Sequence, residues 1–184
     1  MAQLVLLSSE VQPYSLKDDG TFPNHEHLPV LYYQDCLQVP ENFAAGPGIE
    51  ALFMSNNWSG VWHNGIYDFP HYHSTSHEVI GIAAGQANVQ LGGPHGIVLP
   101  LKKGDVVIIP AGVSHCCLDS STDFLCVGAY PPGQEQYDIM KGLPGERPDA
   151  DARIALVAMP STDPVYGKDG PLFNYWMEWR RQSL

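Results

Sequence analysis

Two short stretches of the chain concentrate side chains able to hold a metal ion. The first is Gly65-(x5)-His71-x-His73-(x4)-Glu78-(x6)-Gly85, and the second is Gly104-(x5)-Pro110-x-Gly112-(x2)-His115. Three imidazoles and one carboxylate form a mixed nitrogen and oxygen set that suits a borderline divalent transition metal such as zinc, nickel, iron or manganese. Four protein ligands leave one or two coordination positions open, and an open position separates a catalytic metal from a structural one.

The spacing says which elements must carry these groups. Alternate residues of a strand project to the same face, so His71 and His73 can point together into one cavity while Tyr72 points away. Glu78 lies an odd number of residues past His73, and a single regular strand would turn it to the opposite face. A bend at Ser74, Thr75 and Ser76, small hydroxyl residues suited to turning the chain, is expected to restore its direction. In the second stretch a turn at Lys103-Gly104-Asp105 leads into the β-branched run Val106-Val107-Ile108-Ile109. A second turn, Pro110-Ala111-Gly112, then delivers His115 at the opening of the next strand.

These paired blocks resemble the two motifs of the cupin superfamily, with the ordered glycines, the proline and all four ligand positions in place. The second motif in that superfamily usually closes on Asn, where this chain has Asp119. The resemblance implies an all-β fold, a jelly-roll β-barrel over roughly residues 51–130, with one metal on His71, His73, Glu78 and His115. Flanking runs such as Leu16-Lys17-Asp18-Asp19-Gly20-Thr21, Gln90-Leu91-Gly92-Gly93-Pro94 and Gly128-Ala129-Tyr130-Pro131-Pro132-Gly133 are similar to the single-domain YjlB-like cupins. That narrower likeness covers nearly the whole chain.

Length and composition agree with a compact protein. A chain of 184 residues can bury a sizeable core as one domain with extensions. Its 16 prolines and 18 glycines fit many turns between short strands. A net charge of −11 and a pI near 4.9 argue against nucleic acid or an anionic membrane surface as a partner. The Leu4-Val5-Leu6-Leu7 run is too short for a membrane span or a secretory core, which leads to the expectation of a cytoplasmic protein.

Three zones are expected within one structural domain: an N-terminal arm over 1–48, the barrel over 49–130 and a C-terminal extension over 131–184. The arm carries a strand at Pro29–Tyr33 and ends in a break at Ala44-Ala45-Gly46-Pro47-Gly48. Alternation through Asn57–Trp62 places Trp58 and Trp62 on one face. Ala150–Val157 reads as a short helix, and the aromatic tail Leu172–Trp179 is expected to pack on the barrel or on a second subunit. A homodimer follows from the strand-rich arm and that tail.

Other candidates carry less. Cys36, Cys116, Cys117 and Cys126 have no metal-site spacing and no disulfide framework; Cys117 shares strand parity with His115, so a place in the cavity competes with ordinary core packing. His77 should point away from Glu78's side of the strand. His25 and His27 sit in a Pro-flanked loop, and His63 and His95 read as loop or strand-end residues. The expected function is metal-dependent chemistry on a small organic substrate, by an oxygenase or by a lyase or isomerase; the alternative is a protein that binds or senses a small molecule without changing it.

Overall fold

The computed structural model describes residues 4–40 and 44–176. Strands dominate the regular structure: β1 (Val5–Leu6), β2 (Val11–Tyr14), β3 (Val30–Tyr33) and β4 (Leu37–Gln38) precede helix α1 (Ala45–Ser55). After it come β5 (Ser59–Asn64), β6 (Glu78–Ala84), β7 (Gln86–Leu91), β8 (Ile97–Lys102), β9 (Val106–Ile109), β10 (His115–Ser120) and β11 (Leu125–Tyr130). Two short helices follow, α2 (Asp149–Leu156) and α3 (Leu172–Trp176). The strands form a six-stranded sheet in the order β2-β3-β9-β6-β11-β5, a facing three-stranded sheet β10-β7-β8, and the small pair β1-β4. This is the expected jelly-roll barrel, and β2 and β3 extend its main sheet.

Both faces of the six-stranded sheet are buried. Its inner face sets Val30, Ile80, Ile82, Val107 and Ile109 against Val89, Leu91, Leu99 and Leu101 of the smaller sheet, filling the barrel. Its outer face presents Leu31, Tyr33, Val79, Ile108, Val127 and Ala129 to α1, Trp58, Leu172 and Trp176. Burial on both sides explains why β6 and β9 are almost continuously apolar rather than alternating. The edge strands β2 and β8 carry Pro13 and Pro100, which lack the N–H that a further strand would use.

Two local expectations fail for identifiable reasons. The Ala44–Gly48 stretch leads straight into α1 instead of breaking the chain. Pro47 falls in the first turn, where backbone N–H groups have no intrahelical partner anyway, and Ile49 and Phe53 supply an apolar stripe one turn apart. Trp58 and Trp62 lie on opposite sides of the main sheet, Trp58 in the outer cluster and Trp62 against the barrel interior. The cause is a bulge: Gly128 pairs with Trp62 and Tyr130 with Ser59, so β5 holds one extra residue, and Gly60 at φ +65° takes the left-handed conformation.

The helix expected at Ala150–Val157 is α2, within a residue at each end. Leu172 and Trp176 of the aromatic tail are fully buried on the barrel, and Met177–Trp179 lie outside the described residues. Among the described residues no helix is long and apolar enough to cross a membrane.

Candidate metal centre

Three separate devices bring the ligand candidates together. His71 and His115 face each other across an isolated antiparallel bridge, with backbone N–H groups of both bonded to the carbonyl of the other at 3.2 and 2.8 Å. His115 reaches that position because the Pro110–Val113 turn is closed by Gly112 at φ +87°, where a Cβ would stand 2.5 Å from the Asn24 carbonyl oxygen. After His73 the chain bends through Ser74 and Thr75, and Glu78 opens β6 facing inward, as the spacing requires.

All four residues are buried, with His71, His73, Glu78 and His115 each no more than 4% exposed. One nitrogen from each of the three histidines lies within 4.8 Å of the others. Glu78 Oε2 sits 3.3 Å from His73 Nε2 and 3.2 Å from His115 Nε2. That oxygen has no hydrogen bond within the protein. A buried carboxylate oxygen without a partner is costly, and a cation among the imidazoles would satisfy it.

The tautomers are fixed from behind. Each Nδ1 faces a backbone carbonyl: Phe69 O for His71 at 3.1 Å, Asp138 O for His73, and Val113 O for His115 at 3.1 Å. A proton on Nδ1 donates there and leaves Nε2 with a free lone pair, the arrangement that orients imidazole for metal binding. Glu78 is held likewise: the Tyr130 hydroxyl donates to Oε1 at 2.7 Å and accepts from Trp62 Nε1 at 2.9 Å. The residues present therefore fit a divalent metal.

The electrostatics couple the four groups. Burial, helped by the charge of His115, lowers His71 from 6.5 to about 3, so it is neutral at pH 7. Burial would also lower His73, but the neighbouring Glu78 carboxylate outweighs it and the net shift is upward. Glu78 is correspondingly held well below the ordinary range; burial opposes this, and the charges of the adjacent His73 and His115 rings prevail. Protons compete with a metal for these imidazoles and this carboxylate, so binding should weaken in acid.

Beside the ligands lies a cavity of about 150 Å³. The rings of Trp62, Tyr67, Tyr130 and Tyr137 and the side chains of Ile66 and Ile80 wall it, with His71, His73, Glu78 and His115 on the same lining. Asp138, which no sequence motif marks, also supports the cluster. Its carboxylate accepts from the Ser74 N–H at 2.6 Å and from the Ser74 hydroxyl, and it faces Arg153 at 3.6 Å, while its carbonyl holds His73. Tyr137 packs over Tyr130 at 4.4 Å and edge-on to His73 at 4.8 Å.

The discounted histidines stay apart from the cluster. His77 turns the other way: its Nδ1 accepts the Ala111 N–H at 2.9 Å and its ring packs against Trp176 at 4.9 Å. His63 borders the cavity, but its ring is turned to α1, where Nε2 meets Glu50 at 2.7 Å. His25 Nδ1 accepts the Leu28 N–H within its loop, and His95 is exposed in the β7–β8 turn. Cys117 packs against the inner core cluster and is not part of the cavity wall. All four cysteines are free thiols.

With this geometry in hand, two comparisons bear on the family. The pattern of the cupin domain matches residues 59–127. The Bacillus subtilis (strain 168) protein named uncharacterized protein YjlB is 40% identical over 173 residues, covering 94% of this chain and 100% of that protein. The chain belongs to the YjlB-like cupin family. Solved structures similar to this cupin include acireductone dioxygenase from Bacillus anthracis with cadmium in its active center, at 15% identity, TM-score 0.36, and 48% of this chain against 60% of that one. A Klebsiella pneumoniae protein with a double-stranded beta-helix domain shares 19% identity at TM-score 0.36 over 73% of this chain and 90% of its own. Similarities of that size say nothing about the chemistry of this cupin, which has to be argued from its own residues.

Proposed function

We propose that the protein binds one divalent transition metal (zinc, nickel, iron or manganese) through His71, His73, Glu78 and His115 and uses it to transform a small organic molecule. The observation that carries this reading is the convergence of three oriented imidazoles and the unpartnered Glu78 Oε2 beside a cavity of about 150 Å³. When bound, the metal would supply a Lewis acid and, as iron, a redox partner for dioxygen. The chain does the rest. Tyr130 and Trp62 fix Glu78, the three carbonyls fix the imidazoles, and aromatic rings wall the space beside them.

Oxygenation is favoured over a lyase or isomerase reaction. The latter need a base within reach of the substrate. Among the described residues, Glu78 is the only carboxylate on the cavity lining, and the one lining imidazole outside the cluster, His63, is turned to Glu50. The Tyr130 hydroxyl is engaged on both sides, and burial together with the Glu78 charge pushes it far above neutral pH, so it donates but does not accept protons from substrate. The same lack of a free base keeps a second reading alive, a protein that holds the small molecule unchanged.

A metabolite panel screened by thermal shift against ferrous protein, each hit then incubated under air and under argon, separates the two. Ligand-dependent oxygen uptake with a product heavier by two oxygen atoms supports the oxygenase. Turnover under argon would move the reading to a lyase or isomerase, and recovery of every hit unchanged would leave the binding protein.

The proposal includes a cytoplasmic homodimer. Pro13 and Pro100 discourage pairing across β2 and β8, so the surface offered is the outward Val5 and Leu6 of β1 with Leu7, each 38–46% exposed. Light scattering should give twice the 20.2 kDa chain mass. A monomer at micromolar concentration would remove that part.

A further inference from the structure

We infer that the cavity takes a singly charged oxygen chelator whose remainder is uncharged and apolar, of about six to ten heavy atoms, and that it rejects dianions such as dicarboxylates and phosphate esters. The inference rests on the metal reading above and adds the ligand class. Size comes first. A protein cavity of about 150 Å³ accommodates a body such as benzene, and the volume here is about 150 Å³, open to solvent beside the exposed Tyr67. Larger, drug-sized ligands need about 300 Å³ or more.

Charge comes second. A divalent ion with three neutral imidazoles and the Glu78 carboxylate carries one net positive charge, which a monoanion balances. Beyond the histidines, no cationic side chain lines the cavity among the described residues. Lys141 rests over the Phe69 ring, 4.5 Å from its centroid, and neither residue belongs to the lining. A second anionic group on the ligand would therefore be desolvated near Glu78 with no counter-charge, in a protein of net charge −11.

The wall chemistry points the same way. Trp62 Nε1 is committed to Tyr130, the Tyr130 hydroxyl to Glu78, and Asn64 Oδ1 to the Gly65 N–H. Ring and aliphatic surface from Trp62, Tyr130, Ile66 and Ile80 suits an apolar body, while Tyr67, Tyr137 and Asn64 on the same lining are uncharged and offer no counter-charge to a second anionic group.

The test uses two 2-oxo acids with the same chelating end. Zinc-loaded protein, its metal content measured before and after, is titrated calorimetrically with 2-oxohexanoate and with 2-oxoglutarate. The monoanion should bind at least about tenfold more tightly, the smallest preference expected when an unpaired charge is excluded. Ile66→Arg, on the half-buried mouth of the cavity, should shrink or reverse that preference. Retained metal with equal or tighter binding of 2-oxoglutarate, or with no binding of either acid, overturns this inference and leaves the metal reading standing. Failure to hold zinc at all overturns both.

Discussion

Asp138 shows how far the metal centre depends on chain well outside the two motifs. Its carboxylate receives the buried Ser74 N–H at 2.6 Å and the Ser74 hydroxyl and faces Arg153, while its own carbonyl faces His73 Nδ1. Replacing Asp138 by Ala removes charged hydrogen bonds of about 1.5–3 kcal/mol and strands a buried donor at a cost of about 1–3 kcal/mol. These terms overlap, so a net loss of about 2–4 kcal/mol is expected, roughly 5–10 °C in melting temperature for a chain of this size. The freed carbonyl no longer fixes His73, and loss of such a supporting contact lowers metal affinity by about 10–100-fold. Asp138→Asn keeps an oxygen for the Ser74 N–H and should retain most of that affinity while giving up the ion pair with Arg153. Zinc affinity by chelator competition and melting curves with and without chelator measure both effects. An Asp138→Ala protein with native zinc affinity would refute the positioning role, even if it melts lower.

Acid should destabilise the protein through histidines outside the cluster as well. Burial lowers His77 to about 3, with His25 adding to the shift, and burial lowers His25 itself to about 4, with His27 adding, both from 6.5. The unfolded chain then binds more protons below pH 6.5, so stability is intact above 6.5 and falls as pH drops toward 4 and 3, by up to about 1.4 kcal/mol per group per pH unit. Denaturant melts of chelated protein at pH 7.5 and 5 that give the same midpoint would contradict this. Gly60→Ala forces a side chain into the left-handed region and sets its Cβ 3.1 Å from Glu135, so a loss of about 1–2 kcal/mol is expected. An unchanged melting temperature there would mean that β5 can relax its bulge.

The convergence of His71, His73, Glu78 and His115 was readable in sequence because the motif spacing says what each backbone element must do: a His-x-His pair in extended chain, a bend of small residues, and a glycine-closed turn before His115. The barrel was readable for the same reason. What holds the ligands was not, because Asp138 lies 65 residues from His73 and Tyr130 lies 52 from Glu78, separations that no local pattern spans. Two tyrosines, Tyr130 at the end of β11 and Tyr137 seven residues on, were the available hint. Local readings failed where one residue changes the geometry. Gly60 adds a bulge that sends Trp58 and Trp62 to opposite faces, and Gly46-Pro47-Gly48, which reads as a break, is a tolerated first turn because Ile49 and Phe53 pack on the sheet.

The central claim is that His71, His73, Glu78 and His115 together bind one metal, and X-ray absorption on zinc-loaded protein, paired with metal analysis of His115→Ala, tests it most directly. The account predicts one zinc per chain, a nitrogen and oxygen shell at about 2.0–2.2 Å with imidazole scattering beyond it, and no sulfur neighbour. At about 100 times the dissociation constant, bound zinc should add about 2.7 kcal/mol of stability. His115→Ala should lose most of the metal and most of that gain. A shell containing sulfur, or a His115→Ala protein that keeps its zinc, would contradict the assignment.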